Sequence, residues 1–139
     1  MNDYVSNIIE AMQNDKYYDH DDSLTVEEVL ELPSFKGYRL LAGAKGIKKR
    51  CKHITILETP NGIDWLEGEE LLLTAGYAFT NNEKRKETML IDAYNKNVSA
   101  IAIKEGRYFG DISGILISQA DEFEIPLIEI PYDVVYTNT

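Results

Sequence analysis

At 139 residues with 44% hydrophobic content, the chain is long enough and apolar enough for one packed domain, and its single cysteine excludes a disulfide framework or a multi-cysteine metal site. A formal net charge of −10 argues against a DNA-reading surface of its own, which needs a basic face. No run approaches the roughly 20 apolar residues of a membrane span, and the N-terminus lacks the basic-then-apolar layout of a secretory signal, so a cytoplasmic protein without membrane contact is expected.

In chain order, Val5, Ile8, Ile9 and Met12 fall at i, i+3, i+4, i+7 and predict a short helix with one apolar stripe. A helix this short is marginal alone, so it docks on its own domain or on a second copy, or it frays. Asp15 to Ser23 is polar and acidic and reads as a linker; His20 among Asp19, Asp21 and Asp22 lacks a frame that would hold metal ligands. Thr25-Val26-Glu27-Glu28 is a capping box opening a helix that Pro33 ends. Tyr38 to Leu41 is a short strand candidate, and Gly43 and Gly46 punctuate a turn. The basic cluster Lys45, Lys48, Lys49, Arg50, Lys52 is either a solvated loop or an anion or partner site.

His53 to Glu58 is β-branched and predicts a strand. Thr59-Pro60-Asn61-Gly62 is a turn, and residues 63–66 make one helical turn carrying Trp65, the sole tryptophan. Leu71 to Leu73, between Gly68 and Gly76, reads as the core of a strand over 70–74 buried on both faces. Asn82 can cap a helix over about 83–96, with Met89, Leu90, Ala93 and Tyr94 as its stripe. Val98 to Ile103 is the next strand. Asp111 can cap a helix bearing Ile112, Ile115, Leu116, Ala120 and Phe123, and Ile125 to Ile130 is the last strand.

Strand, helix, strand, helix, strand from residue 70 onward implies parallel pairing through right-handed crossovers. The expected fold is therefore α/β: a single domain over 24–139 with a mostly parallel central sheet and flanking helices, preceded by a short N-terminal helical extension and linker over 1–23. The two earlier strands either extend the sheet or form a small hairpin beside it. The tail from Tyr132 to Thr139 carries no stop signal and reads as the start of something longer.

Catalytic patterns are weak. No Walker or GxGxxG loop, no GxSxG elbow and no HExxH spacing occurs. Cys51 and His53 share a strand face by parity, but a lone pair of this kind is usually structural. Glu58, Asp64, Glu67, Glu69 and Glu70 crowd one region, where acid–base or cation chemistry competes with simple solvation. No catalytic residue, metal site or cofactor is assigned, and no enzyme activity is expected. In open α/β sheets, ligands sit beyond the carboxyl ends of the parallel strands. Residues from that region make up the candidate ligand-binding set: Glu58, Trp65, Glu70, Thr74, Gly76, Lys104 and Arg107. They combine a hydroxyl, two cations, carboxylates, a glycine that permits close backbone approach and an indole for stacking, which suits a small, polar, planar ligand.

Several stretches in order carry a resemblance: Leu24-Thr25-Val26 to Leu32-Pro33, Leu41-Ala42-Gly43, Ile56 to Pro60, and Trp65-Leu66-Glu67-Gly68-Glu69-Glu70-Leu71-Leu72-Leu73-Thr74-Ala75-Gly76. Ala102-Ile103-Lys104, Gly106-Arg107-Tyr108, Ala120-Asp121-Glu122 and Ile125 to Pro131 continue it. Together they resemble the N-terminal domain of purine catabolism regulators, the PucR-like family, over about residues 24–139. The family often has tryptophan where Tyr132 stands and a hydrophobic or aromatic residue where His53 stands, and residues 1–23 precede its usual start. The resemblance assigns no binding residue. It implies the sensory or regulatory domain of a bacterial transcription regulator, with a small purine or related nitrogen metabolite as effector. It also implies that DNA is contacted only through a C-terminal region absent from this chain. Homodimerisation is expected, and a dimerisation or protein-interaction module with no ligand is the alternative.

Overall fold

The computed structural model describes residues 23–57, 59, 62–76, 79, 83–105 and 109–131. The N-terminal stripe, the acidic linker up to Asp22, the Asn82 cap and the tail from Tyr132 lie outside them. In chain order the elements are β1 (Leu24–Thr25), α1 (Val26–Leu30), β2 (Arg39–Ala42), β3 (Arg50–Cys51), β4 (His53–Ile56), β5 (Glu70–Thr74), α2 (Glu83–Asn95), β6 (Ala100–Ile103), α3 (Gly114–Phe123) and β7 (Leu127–Glu129). Three 3-10 turns, Pro33–Phe35, Ala44–Gly46 and Gly62–Trp65, punctuate them.

The main sheet has five strands in the order β2-β7-β6-β5-β4. β4 through β7 pair in parallel, and β2 closes one edge antiparallel to β7. The fold is the expected α/β arrangement with a mostly parallel sheet. The two early strands extend the sheet, one at each edge. β1 and β3 form a separate two-stranded ribbon. Neither was predicted, because two residues show no alternation to read.

β5 is buried at every position, and so is β6. Their side chains divide by parity between two cores. Leu72, Ile101, Ile103 and Leu127 point to one face and meet Met89, Leu90 and Ala93 of α2 and Leu116 and Ala120 of α3. Leu71, Leu73, Ala100, Ala102 and Ile128 point to the other and meet Leu24, Val26, Val29, Leu32 and Phe35. Both helices therefore lie on one face, as right-handed crossovers require when the strands advance steadily in one direction. The N-terminal segment covers the opposite face.

Local chemistry places the cover. Thr25 accepts a hydrogen bond from the Glu28 N–H (3.2 Å) while the Glu28 carboxylate accepts one from the Thr25 N–H (2.9 Å), the predicted capping box. The first amides of the helix, Val26 and Glu27, donate to the carbonyls of Lys49 and Ile47, both at 2.9 Å, which docks the start of α1 on the basic loop. In β2 a register shift between Leu40 and Ala42 leaves Leu40 on the second core and turns Ala42 to the first. At α3 the cap is Ser113, whose side chain accepts from the Leu116 N–H (3.2 Å), and Asp111 is exposed. The Glu105 carboxylate accepts from the Ile112 N–H (2.8 Å), which ties the approach to α3 to the exit of β6.

The turn after β2 sits hard against the strand entering β7. Gly43 has φ 76°, and a Cβ there would lie 2.0 Å from the Ile125 carbonyl oxygen. At Gly46 it would lie 2.0 Å from the Glu124 carbonyl oxygen. The Gly43 N–H donates to the Asp121 carboxylate (2.8 Å), which anchors the loop to the end of α3. Gly43→Ala combines left-handed strain with a backbone clash, so a loss of about 3 kcal/mol or more is expected. Urea titration followed by circular dichroism measures it, and a loss under about 1 kcal/mol would contradict this packing.

Candidate functional site

At the amino end of the sheet, Glu70 is buried, 3% exposed. Its carboxylate accepts from the Glu67 N–H (2.7 Å) and from the Gly68 N–H (3.0 and 3.1 Å). Gly68 and Glu69 take the left-handed φ values of 113° and 63° that this turn needs. A buried carboxylate is tolerable when backbone amides replace its water, and here they do. The Glu69 N–H donates to the Asn97 carbonyl (2.8 Å) and the Ser99 N–H to the Glu70 carbonyl (2.9 Å), which fixes where β5 and β6 enter the sheet. Glu70 is thus engaged in building a turn.

The carboxyl end has different chemistry. Thr74 is fully buried, and its Oγ1 accepts from the Gly76 N–H (3.0 Å). The Lys104 N–H donates to the Thr74 carbonyl (3.0 Å), so the exits of β5 and β6 are level. Gly76, at φ 90°, passes under Phe109: a Cβ there would lie 2.4 Å from Cβ and 2.5 Å from Cα and N of that residue. Phe79 packs edge-on to Phe109 with ring centroids 6.1 Å apart. The Lys86 ammonium donates to the Phe109 carbonyl and stands 4.6 Å from its ring centroid. Lys104 and Glu105 are half-buried beside this junction. At the next strand exit Glu129 pairs with Arg39 at 3.0 Å.

Of the seven candidate residues, the structure brings Thr74, Gly76 and Lys104 together at the strand exits. Glu70 lies at the other end of β5, about 13 Å along the strand. Trp65 is 82% exposed on the crossover from β4 to β5. The carboxylate beside it, Asp64, pairs with Arg85 at 2.8 Å, which sets that turn against the start of α2, and Arg85 also reaches Asp92 at 3.2 Å. Glu58 and Arg107 fall outside the described residues. Lys86, Phe79 and Phe109 were missed. Phe109 stands in a loop between Gly106 and Gly110, without the periodicity that marks packed residues, and only the threefold contact with Gly76 reveals its place.

The parallel strands run in monotonic order, so the divergence of connections that opens a crevice in doubly wound sheets has no counterpart between β4 and β7.

The basic cluster disperses. Lys48 pairs with Glu27, Lys52 with Glu69 (3.1 Å), and Arg50 donates to the Ser23 carbonyl. Burial lowers the Lys49 ammonium from its ordinary range, with Glu124 opposing the shift. Lys52 thus ties the start of β4 to the entry of β5, while Lys48 and Arg50 join parts of the N-terminal cover to one another. Cys51 and His53 do not share a face: Cys51 is fully buried in the second core and His53 is exposed. The chain jogs between them at Lys52, where the Lys52 and His53 N–H groups both donate to the Glu69 carbonyl (2.8 and 3.4 Å). Among the described residues no three His, Cys, Asp or Glu side chains gather as a metal site needs.

Burial pushes the Cys51 thiol up to about 12 from 9.0, with the Ser99 hydroxyl pulling the other way. The folded state therefore holds this proton where the unfolded state releases it. The resulting stability is present below the unfolded value and is lost as pH climbs through the window from 9.0 toward about 12. Unfolding free energy should fall by roughly a kcal/mol per pH unit there from this group alone, and Cys51→Ala should remove that part of the slope. Denaturation at stepped alkaline pH tests it, and identical slopes in the two proteins would refute it. Thiol reagents should label Cys51 only on unfolding.

The sequence pattern of the purine catabolism regulatory protein-like family matches residues 28–139. The purine catabolism regulatory protein of Bacillus subtilis (strain 168) is 27% identical over 108 residues, which cover 78% of this chain and 20% of that protein. The chain thus spans about a fifth of the length of that curated relative.

Proposed function

The chain belongs to the purine catabolism regulatory protein-like family, and we propose that it is the sensory, non-enzymatic domain of a cytoplasmic bacterial transcription regulator of purine or related nitrogen-compound catabolism. On this reading it binds a small metabolite at the carboxyl edge of its sheet. It passes the signal to a DNA-binding region outside the chain. Family membership supports the regulatory role, and the relative's name supports the metabolic context.

The observation that carries the location is the contrast between the two ends of the sheet. The amino end is sealed by Glu70 and its backbone amides. At the carboxyl end the exits of β5 and β6 are level at Thr74 and Lys104, Gly76 passes under Phe109, and Lys86 donates to the Phe109 carbonyl. Half-buried Lys104 and Glu105 at the strand exits can present charge to a small polar ring, and a ligand that contacts one conformation better than another favours that conformation. That difference in contacts is what a ligand needs to shift a population. The deep burial of Cys51 and the exposure of His53 support a role without nucleophilic catalysis.

A thermal-shift screen against purines, their ring-opened breakdown products, amino acids and nucleotides tests the reading. An effector at about 100 times its dissociation constant should stabilise the fold by about 2.7 kcal/mol, which is several degrees for a domain of this size. Lys104→Ala should weaken that binding about tenfold or more, with circular dichroism checking that the fold is retained. The emission of Trp65, a lone exposed indole, reports separately: a blue shift on binding places the ligand against it, and an unchanged spectrum removes it from the site. A screen with no shift from any class would refute the sensor.

A further inference from the structure

The two edges of the main sheet are built differently. At the β2 edge the strand carries Arg39, a register shift between Leu40 and Ala42, and an immediate turn at Gly43. These are the usual devices that stop a sheet edge from pairing further: a charge, a bulge and an early exit. β4 is equally short, at four residues, but it carries no Lys, Arg, Asp or Glu and no bulge. It reads His53-Ile54-Thr55-Ile56, without proline, glycine or bulge, and pairs in unbroken register with residues 70–73 of β5. Among the described residues no strand lies beyond it.

The direction of its free backbone groups follows from its bonds. The Leu57 N–H donates to the Leu73 carbonyl (2.9 Å) and the His53 N–H to the Glu69 carbonyl (3.4 Å). Since strand groups alternate sides with period two, residues 53, 55 and 57 face β5, and Ile54 and Ile56 turn N–H and C=O to the open edge. Both isoleucine side chains are half-buried and pack on the second core.

We propose that this edge pairs with a second copy of the chain, β4 against β4 in antiparallel register about a two-fold axis at Thr55. The occupant follows from self-complementarity. With Thr55 opposite Thr55, Ile54 of each copy stands opposite Ile56 of the other. Those are the residues whose amides and carbonyls point outward, so each pair exchanges both bonds of a hydrogen-bonded antiparallel pair, and Thr55 falls at the closer non-bonded position. On the core side, Ile54 of each copy meets Ile56 of the other, an apolar cross-strand contact on both sides of the axis. The same patch serves both copies, as a closed two-fold interface requires. An unrelated strand would have to supply this match; the chain supplies it to itself. This assembly goes beyond the sensor role, and its test does not depend on any effector.

The register makes the test sharp. Thr55 Cα atoms of the two copies would stand about 4.5 Å apart, within reach of a disulfide. His53 would be offset from its own counterpart by about 13 Å along the strand. In the full chain, mild oxidation of Thr55→Cys should give a covalent dimer in high yield, and His53→Cys should give at most a tenth as much. Cys51, being fully buried, stays out of the reaction. Sedimentation of the unmodified chain should show a concentration-dependent dimer. Ile54→Pro removes an outward N–H while sparing the bonds to β5, and should raise the dimer dissociation constant at least tenfold with the circular dichroism spectrum retained. If Ile54→Pro loses the fold, the two cysteine variants decide alone. A monomer at all concentrations, or equal cross-linking from residues 53 and 55, would overturn the proposal.

Discussion

A sheet whose central strands are buried on both faces has to be covered twice, and in this chain the parallel crossovers can cover it only once. β4, β5, β6 and β7 follow one another across the sheet in sequence order. Right-handed connections advancing in one direction all pass over the same face, and α2 and α3 both pack there. The other face, with Leu71, Leu73, Ala100, Ala102 and Ile128, would be open to water without the N-terminal segment. Full burial of one leucine is worth about 1.5–3 kcal/mol, comparable to a sizeable share of the roughly 5–15 kcal/mol by which a domain is stable. The β1–β3 ribbon, α1 and Phe35 are therefore part of the fold's foundation. The Lys48–Glu27 pair and the Arg50 bond to the Ser23 carbonyl serve the same need, since they hold that cover together.

This division of labour decides how much was legible from the residues alone. Leu71 to Leu73 reads as a doubly buried strand because no polar residue interrupts it, and α2 and α3 follow from stripes at helical spacing. The capping box at Thr25 is a local device and needs no tertiary information. What the residues did not show is long-range. β1 and β3 are two residues each, and they exist because the cover must attach somewhere. The bulge that turns Ala42 is set by pairing with β7. Asp111 was the expected cap of α3, and Ser113 takes that place, with its hydroxyl on the Leu116 amide.

The candidate site was legible only in part, for a related reason. Thr74, Gly76 and Lys104 were placed correctly at the strand exits, because strand ends can be read from turn residues. Glu70 was grouped with them at the strand ends, yet a five-residue strand separates its two ends by most of the sheet's height. Acidic residues beside glycine carry two opposite meanings: they line sites, or they fold a turn by collecting its amides. At this turn Gly68 frees the backbone while Glu70 collects the amides of Glu67 and Gly68, and only the geometry separates those roles. Phe109 shows the converse, a residue without pattern that becomes central because Gly76 leaves room for its backbone.

A monotonic sheet also bears on how a signal would leave the domain. Doubly wound sheets own a fixed crevice at the reversal of strand order, and a rigid crevice changes little when filled. Here the strand exits are level, tied by backbone bonds such as Lys104 to Thr74, and closed by a pair of aromatic rings on loops. On the proposed reading, a ligand above them meets half-buried Lys104 and Glu105 at the strand exits, and it shifts the domain only as far as it binds one conformation better than another. The sheet beneath stays fixed because both of its faces are packed. The neighbouring edge strand β4 shares that rigid sheet, so a change at the rim could alter loop geometry without disturbing a strand-paired dimer beneath it.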